Sequence, residues 1–180
     1  GLRKMTIASN QASLSSLPPA GRAEMLRIGP IWGSDIQKHR DIVLAAYDPV
    51  LAKSPKEGVS ITRNHAYGSH PRQVLDVYQP AGRSKAPVVV FMHGGAFVRG
   101  DKQASPEVYD NVLIWFARQG YVGVNIEFRL APEAAYPCGA DDLAGSIAWV
   151  KNNIAGFGGD AQTIFVIGHS AGGTHVATFA

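Results

Sequence analysis

Ser170 lies in Gly168-His169-Ser170-Ala171-Gly172, the pattern G-x-S-x-G. A β-branched run precedes it and a helix-compatible segment follows. This context describes a very tight strand-to-helix turn, in which the serine takes strained backbone angles and projects its hydroxyl at the sheet edge. The residues two places to either side must be small for strand and helix to approach, and both are glycine. A helix starting there aims free N–H groups at the serine. Ser170 is therefore the candidate nucleophile for acyl transfer. A second segment, His93-Gly94-Gly95-Ala96-Phe97, follows another apolar run. Glycines leave backbone N–H groups unshielded, and donors fixed in advance stabilise the oxyanion of a tetrahedral intermediate. The N–H groups of Gly94, Gly95 and Ala171 are the expected oxyanion hole. The alternative is that Gly94-Gly95 is only a turn after a strand.

The elements that must position these segments follow from the pattern of apolar residues. Residues 9–20, rich in Ser and Pro, read as a mobile lead-in. A short helix is expected over Pro19–Ile28, stopping at Gly29-Pro30. A second is expected from about Ser34 to Tyr47, capped by Ser34 or Asp35 and broken or kinked at Asp48-Pro49. Val59, Ile61 and then residues 74–78 predict two strands joined around Gly68. Residues 87–92 form a continuous β-branched run, the pattern of a strand buried on both faces. A helix is predicted from a Ser105 cap, with Pro106 at its first position, to Gly120. Residues 121–126 and 163–167 predict strands, residues 139–154 a helix, and Ala171 begins another. Alternating buried strands and helices predict an α/β fold, with a mostly parallel sheet of five strands covered on both faces. Such sheets place their chemistry at the carboxyl ends of the strands, here just after Met92, Ile126 and Ile167. Two regions are expected: residues 1–57 as lead-in and cap helices, and residues 58–180 as the N-terminal part of a hydrolase core.

From about Val59 onward the sequence resembles the α/β-hydrolases, specifically the hormone-sensitive-lipase-like carboxylesterases. The resemblance rests on five segments. They are residues 93–97, Phe128-Arg129-Leu130-Ala131-Pro132-Glu133 with Tyr136-Pro137, Asp141-Asp142, Gly158-Gly159-Asp160, and Gly168-His169-Ser170-Ala171-Gly172-Gly173. Two departures are visible: Ala96 stands where many members have a third glycine, and Phe128 where many have tyrosine. Neither removes a backbone donor. The resemblance implies hydrolysis of a small-molecule carboxylic ester through an acyl-serine, with no metal or organic cofactor. It also implies that helices within about residues 19–52 form part of a cap over the pocket.

A serine hydroxyl needs a base to take its proton and an acid to orient that base. In this fold both follow the serine in the chain. Ten residues follow Ser170; they hold no carboxylate, and their one histidine, His175, lies on a helix running away from the turn. The chain is thus expected to be the N-terminal part of a larger hydrolase whose missing C-terminal part supplies acid and base. Among the other candidates, His93 reads as an anchor for its loop rather than a base, and His169 as local packing. Asp141 and Asp142, in the first turn of a helix, read as structural. Glu127 and Arg129 read as an ion pair or as bonds to backbone, and Cys138 as inert. Trp32, Phe97 and Tyr136 are candidates for lining an acyl or alcohol pocket, with simple packing as the alternative.

Composition narrows the classes. The 180 residues are 46% hydrophobic and 17% charged, which suits an ordinary globular domain and not a chain dominated by disorder. The 17 basic residues only slightly exceed the 14 acidic ones and are scattered, so no nucleic-acid footprint is expected. The longest clearly apolar run, residues 86–92, is far short of the roughly 20 residues of a membrane span. A lone Cys138 allows no internal disulfide and no cysteine zinc cage, and a cytoplasmic location is expected. Two other functions stay open: an arylformamidase or related amidase using the same serine, and a non-catalytic receptor on the same scaffold, as in the gibberellin receptors.

Overall fold

A computed structural model of the protein describes residues 16–180. The first part of the expected lead-in, residues 9–15, lies outside the described residues. The chain divides into two compact units, with the boundary between Ser54 and Pro55.

The first unit holds α1 (Pro19–Ile28), a 3-10 segment over Gly29–Ser34 and α2 (Ile36–Leu51). Of the two expected caps of α2, Asp35 takes the role: its Oδ1 accepts from the Lys38 N–H at 3.1 Å. The helix does not stop at Asp48-Pro49 but runs on to Leu51. Proline removes one intrahelical bond, and here it does so in the final turn. There Ala52 N–H still donates to Asp48 O at 2.9 Å and holds the end.

The second unit is a five-stranded sheet of order β1-β2-β4-β3-β5. The strands are β1 (Val59–Ala66), β2 (Val74–Pro80), β3 (Ala86–Met92), β4 (Val122–Ile126) and β5 (Gly159–Gly168). β2 pairs antiparallel with both β1 and β4, while β3 pairs parallel with β4 and β5. Four strands therefore run one way and only β2 is reversed. β5 begins at Gly159, four residues before the predicted start. The helices are α3 (Asp110–Arg118), α4 (Cys138–Asn153) and α5 (Ala171–Phe179).

The apolar strands are buried because helices cover both faces. On one face Val77, Val88, Val90, Met92, Val122 and Val124 pack with Leu143, Ile147 and Val150 of α4. On the other, Tyr78 and Phe91 pack with Leu113, Ile114 and Ala117 of α3. Alternate residues of β3 thus serve opposite layers, which is why its sequence shows no polar alternation.

α3 begins at Asp110, not at Pro106. Ser105 does cap a turn, with its Oγ accepting from the Val108 N–H at 3.0 Å. The turn then breaks at Tyr109, whose φ of 73° is left-handed. The Asp110 carboxylate beyond the break is drawn to Arg63, at 2.6 Å, and to the Tyr78 hydroxyl.

Candidate functional site

The register of the parallel strands sets the site. Met92 of β3 lies opposite both Gly168 of β5 and Ile126 of β4, so the three strands end at one edge. Three segments leave from that edge: His93–Gly100, Glu127–Arg129 and His169–Ser170. The first and last are tied where they leave the sheet, with the His169 N–H donating to Met92 O at 3.0 Å.

Ser170 has φ 55° and ψ −122° and precedes α5 directly. For a residue with a Cβ this is strained, and only tight surroundings hold it. The surroundings are tight because of the flanking glycines. A Cβ on Gly168 would lie 2.5 Å from Gly172 C, and one on Gly172 would lie 2.3 Å from Met92 O. Ser170 itself is exposed.

Gly94 meets it from the other segment. A Cβ on Gly94 would lie 3.0 Å from Ser170 Cβ and 3.0 Å from His169 O. Gly95 has φ 150°, and Ala96 (φ 53°) and Phe97 (φ 68°) continue the left-handed turn although neither is glycine. Val98 and Arg99 close the turn by donating to Gly95 O at 3.2 and 3.0 Å. Among the described residues, no hydrogen bond engages the N–H of Gly94, Gly95 or Ala171. The four residues expected at the site, Ser170, Gly94, Gly95 and Ala171, are thus at one place.

His93 anchors this loop. Its Nδ1 lies 2.7 Å from Gly94 O, its Nε2 lies 2.6 Å from Glu127 Oε1, and the ring is fully buried and stacked on Phe128 at 4.3 Å. With both nitrogens set against oxygen atoms of Gly94 and Glu127, the ring is a clamp for the loop. Glu127 is a hub: it also accepts from Arg72 Nη2 at 2.5 Å and from the Lys102 N–H at 3.0 Å. Glu127 and Arg129 do not pair with each other. Arg129 instead forks onto Asp142 of α4 at 2.7 and 3.0 Å, and its own N–H donates to the same carboxylate. Asp142 holds the Arg129 guanidinium above its ordinary pKa.

Behind the loop Lys102 Nζ meets Asp76 at 2.8 Å, and Arg63 bridges Asp76 and Asp110. Its hydrogen bonds to Asp110 and then Asp76 raise the Arg63 pKa, against the opposing effect of burial. Arg72, Lys102, Asp76 and Tyr109 were not legible as site residues, because nothing local in sequence marks a pair such as Arg72–Glu127, 55 positions apart. His169 is exposed rather than packed, with its Nδ1 3.0 Å from the Tyr109 hydroxyl.

His175 is buried, 3% exposed. Phe97, Phe128 and Tyr136 surround it at 5.1, 5.4 and 6.4 Å, and burial lowers its pKa. Among the described residues it makes no hydrogen bond to Ser170. Phe97 and Tyr136 thus pack on α5, and Trp32 lies in the other unit. Among the described residues no three His, Cys, Asp or Glu side chains converge as a metal site, and no helix is long and apolar enough to cross a membrane.

Residues 75–180 match the BD-FAE family over more than half of the chain. The chain belongs to that family. BD-FAE membership agrees with individual likenesses. Esterase LipC of Mycobacterium tuberculosis is 38% identical over 120 residues, 66% of this chain and 29% of its own. A bacterial heroin esterase superposes with a TM-score of 0.67 at 26% identity, over 93% of this chain and 53% of its own. The hyperthermophilic esterase of the archaeon Pyrobaculum calidifontis gives 0.57 at 34% identity, over 72% and 41%. This BD-FAE chain has the fold of an α/β-hydrolase carboxylesterase. It spans about half the length of these solved structures and less than a third of that of the curated relative.

Proposed function

We propose that this chain carries the nucleophile and the oxyanion hole of a serine carboxylesterase. The observation that carries the reading is the exposed Ser170 on its strained turn, lying against Gly94 beside three unengaged amide N–H groups. Ser170 Oγ attacks the ester carbonyl carbon, and the carbonyl electron pair moves onto oxygen. The N–H groups of Gly94, Gly95 and Ala171 receive that oxyanion. The serine proton passes to a base and then to the leaving alcohol as its C–O bond breaks, which leaves an acyl-serine. Water repeats the sequence and releases the acid. The chemistry assigned to these residues uses no cofactor.

The base and its orienting carboxylate belong to chain outside residues 1–180 in this reading. His175 does not fill the role, because its ring is enclosed by aromatic side chains away from the hydroxyl. The partner of the site is then a small-molecule ester. Esters are favoured over amides by the esterase names of the relatives, among them LipC and the heroin esterase. A receptor without catalysis is disfavoured by Ser170 itself, since a strained, exposed serine beside unengaged donors has no evident structural use.

The test is fluorophosphonate labelling of the full-length protein together with p-nitrophenyl acetate turnover. Both are expected to vanish in Ser170→Ala, and survival of either in that variant overturns the assignment. Residues 1–180 alone are expected to show no Ser170-dependent turnover. If they do, the external base is wrong.

A further inference from the structure

Tyr109 and His169 border Ser170, yet the acyl transfer described above gives them nothing to do. Tyr109 is left-handed at φ 73°, which is uncommon for a bulky residue and persists only where several contacts dictate it. Its ring packs on Phe91 at 5.1 Å and tilts over His169 at 5.9 Å, and its hydroxyl meets His169 Nδ1 at 3.0 Å. The same Nδ1 lies 3.0 Å from where a Cβ on Gly94 would be, so that edge of the imidazole runs along the oxyanion loop. The rest of the ring is exposed, and among the described residues no protein group pairs with its Nε2. A phenol is a better donor than a neutral imidazole N–H, and an imidazole nitrogen is a better acceptor than a phenol oxygen. The Tyr109 O–H therefore donates to Nδ1, and the ring proton resides on Nε2.

We infer that Tyr109 and His169 form a hydrogen-bond-donating subsite on the rim of the Ser170 site. The His169 Nε2–H, held in that tautomer by Tyr109, donates to a second oxygen of the substrate close to the scissile ester. The preferred substrates are esters with an ether, hydroxyl or further carbonyl oxygen next to the reacting group, over alkyl esters of the same shape. Tyr109 is a positioning residue and His169 the specificity-determining one. The inference rests on the serine-esterase reading and names its substrate class. The subsite is open to solvent, so one neutral hydrogen bond there gives roughly two- to tenfold selectivity, not the large factors of a buried recognition site.

The experiment compares isosteric esters on the full-length protein. 2-Methoxyethyl butyrate is set against butyl butyrate, and p-nitrophenyl methoxyacetate against p-nitrophenyl butyrate. Each kcat/KM is divided by the alkaline hydrolysis rate of the same ester, which removes intrinsic reactivity. In the wild-type protein the ether member of at least one pair is expected to lead by roughly two- to tenfold. In His169→Leu that ratio falls to about one, in Tyr109→Phe it falls part of the way, and in His169→Gln, whose amide still donates, it partly returns. A merely structural role would not move a ratio between two substrates of one shape. His169 is exposed, so the Leu and Gln variants carry the test even if Tyr109→Phe folds poorly. No preference in either pair, or a preference that His169→Leu leaves intact, overturns the subsite. Fluorophosphonate labelling of the same wild-type sample separates the two failures: an unlabelled Ser170 removes the esterase reading, and a labelled one with unmoved ratios removes only the subsite.

Discussion

Gly94 joins the two halves of the site, and the contact depends on its having no side chain. A methyl group there would stand 3.0 Å from His169 O and from Ser170 Cβ, and neither is the free end of a flexible chain. In Gly94→Ala the loop must draw back by a few tenths of an ångström, which on the proposed assignment takes its amides out of line with the oxyanion. Losing one such donor costs on the order of 10²–10³ in rate, so a partial displacement is expected to lower kcat about 10- to 100-fold with KM little changed. Steady-state kinetics on p-nitrophenyl butyrate check this, and wild-type kcat would mean that the loop is not pressed on the elbow. Glu127 works one step further back. Its removal leaves His93 buried with one arm unpartnered and takes from Arg72 its buried carboxylate, though the carbonyls of Gly100 and Phe128 still hold the guanidinium, and breaking a buried pair of this kind costs about 3–5 kcal/mol. Glu127→Ala is expected to lose stability of that order in urea denaturation, and Glu127→Gln, which keeps an oxygen for His93, distinctly less. Ser170 and Gly94 were legible in the sequence because a turn leaves a local mark in glycine spacing. The Arg72–Glu127–His93 clamp was not, since ion pairs between distant positions leave none.

At the scale of elements, hydrophobic runs and cap or turn residues located the five strands and three α-helices of the sheet unit, while boundaries followed tertiary contacts. α3 shows why. Ser105 and Pro106 are a sound local start signal, but the Arg63–Asp110 pair and the Tyr109 packing give the chain a better use for those residues than another helical turn. The α5 helix carries a pH dependence of similar origin. His175 lies against α4, where a Cβ on Gly139 would come within 2.4 Å of its ring, and three aromatic rings enclose the rest. Burial lowers its pKa from the ordinary 6.5; Asp142 acts against that and His93 with it. The unfolded chain therefore takes up a proton as pH falls through about 6.5 while the folded chain does not. The sign follows: stability is fully present above that value and declines as pH falls toward the lowered folded value. His175→Phe in the full-length protein is expected to flatten the fall in Tm between pH 7.5 and 5.5. An unchanged slope would place the acid sensitivity in other groups.

At the scale of the whole molecule, the sheet has one side that its sequence made suspect and the structure leaves open. β5 pairs with β3 and, among the described residues, with no other strand. Phe165 in its middle is 53% exposed, and an aromatic row leads from it through Tyr121 and Phe116 to Trp115, itself 56% exposed. A long edge strand with apolar side chains and unpaired backbone is a template for pairing with another chain, which natural proteins blunt with charge or cover. Nothing charged lies between Thr163 and Gly168. Residues 1–180 expressed alone are therefore expected to self-associate with rising concentration in light scattering and sedimentation. Phe165→Lys is expected to suppress this, because a cation on the open strand must be desolvated in any strand-to-strand contact. On the proposal that the acid and base come from further chain, the full-length protein is expected to stay dispersed over the same series, with that chain pairing on the β5 edge. If residues 1–180 remain monomeric throughout, the edge is protected within the chain itself, and the case for a covering segment loses its physical basis even if Ser170 proves reactive.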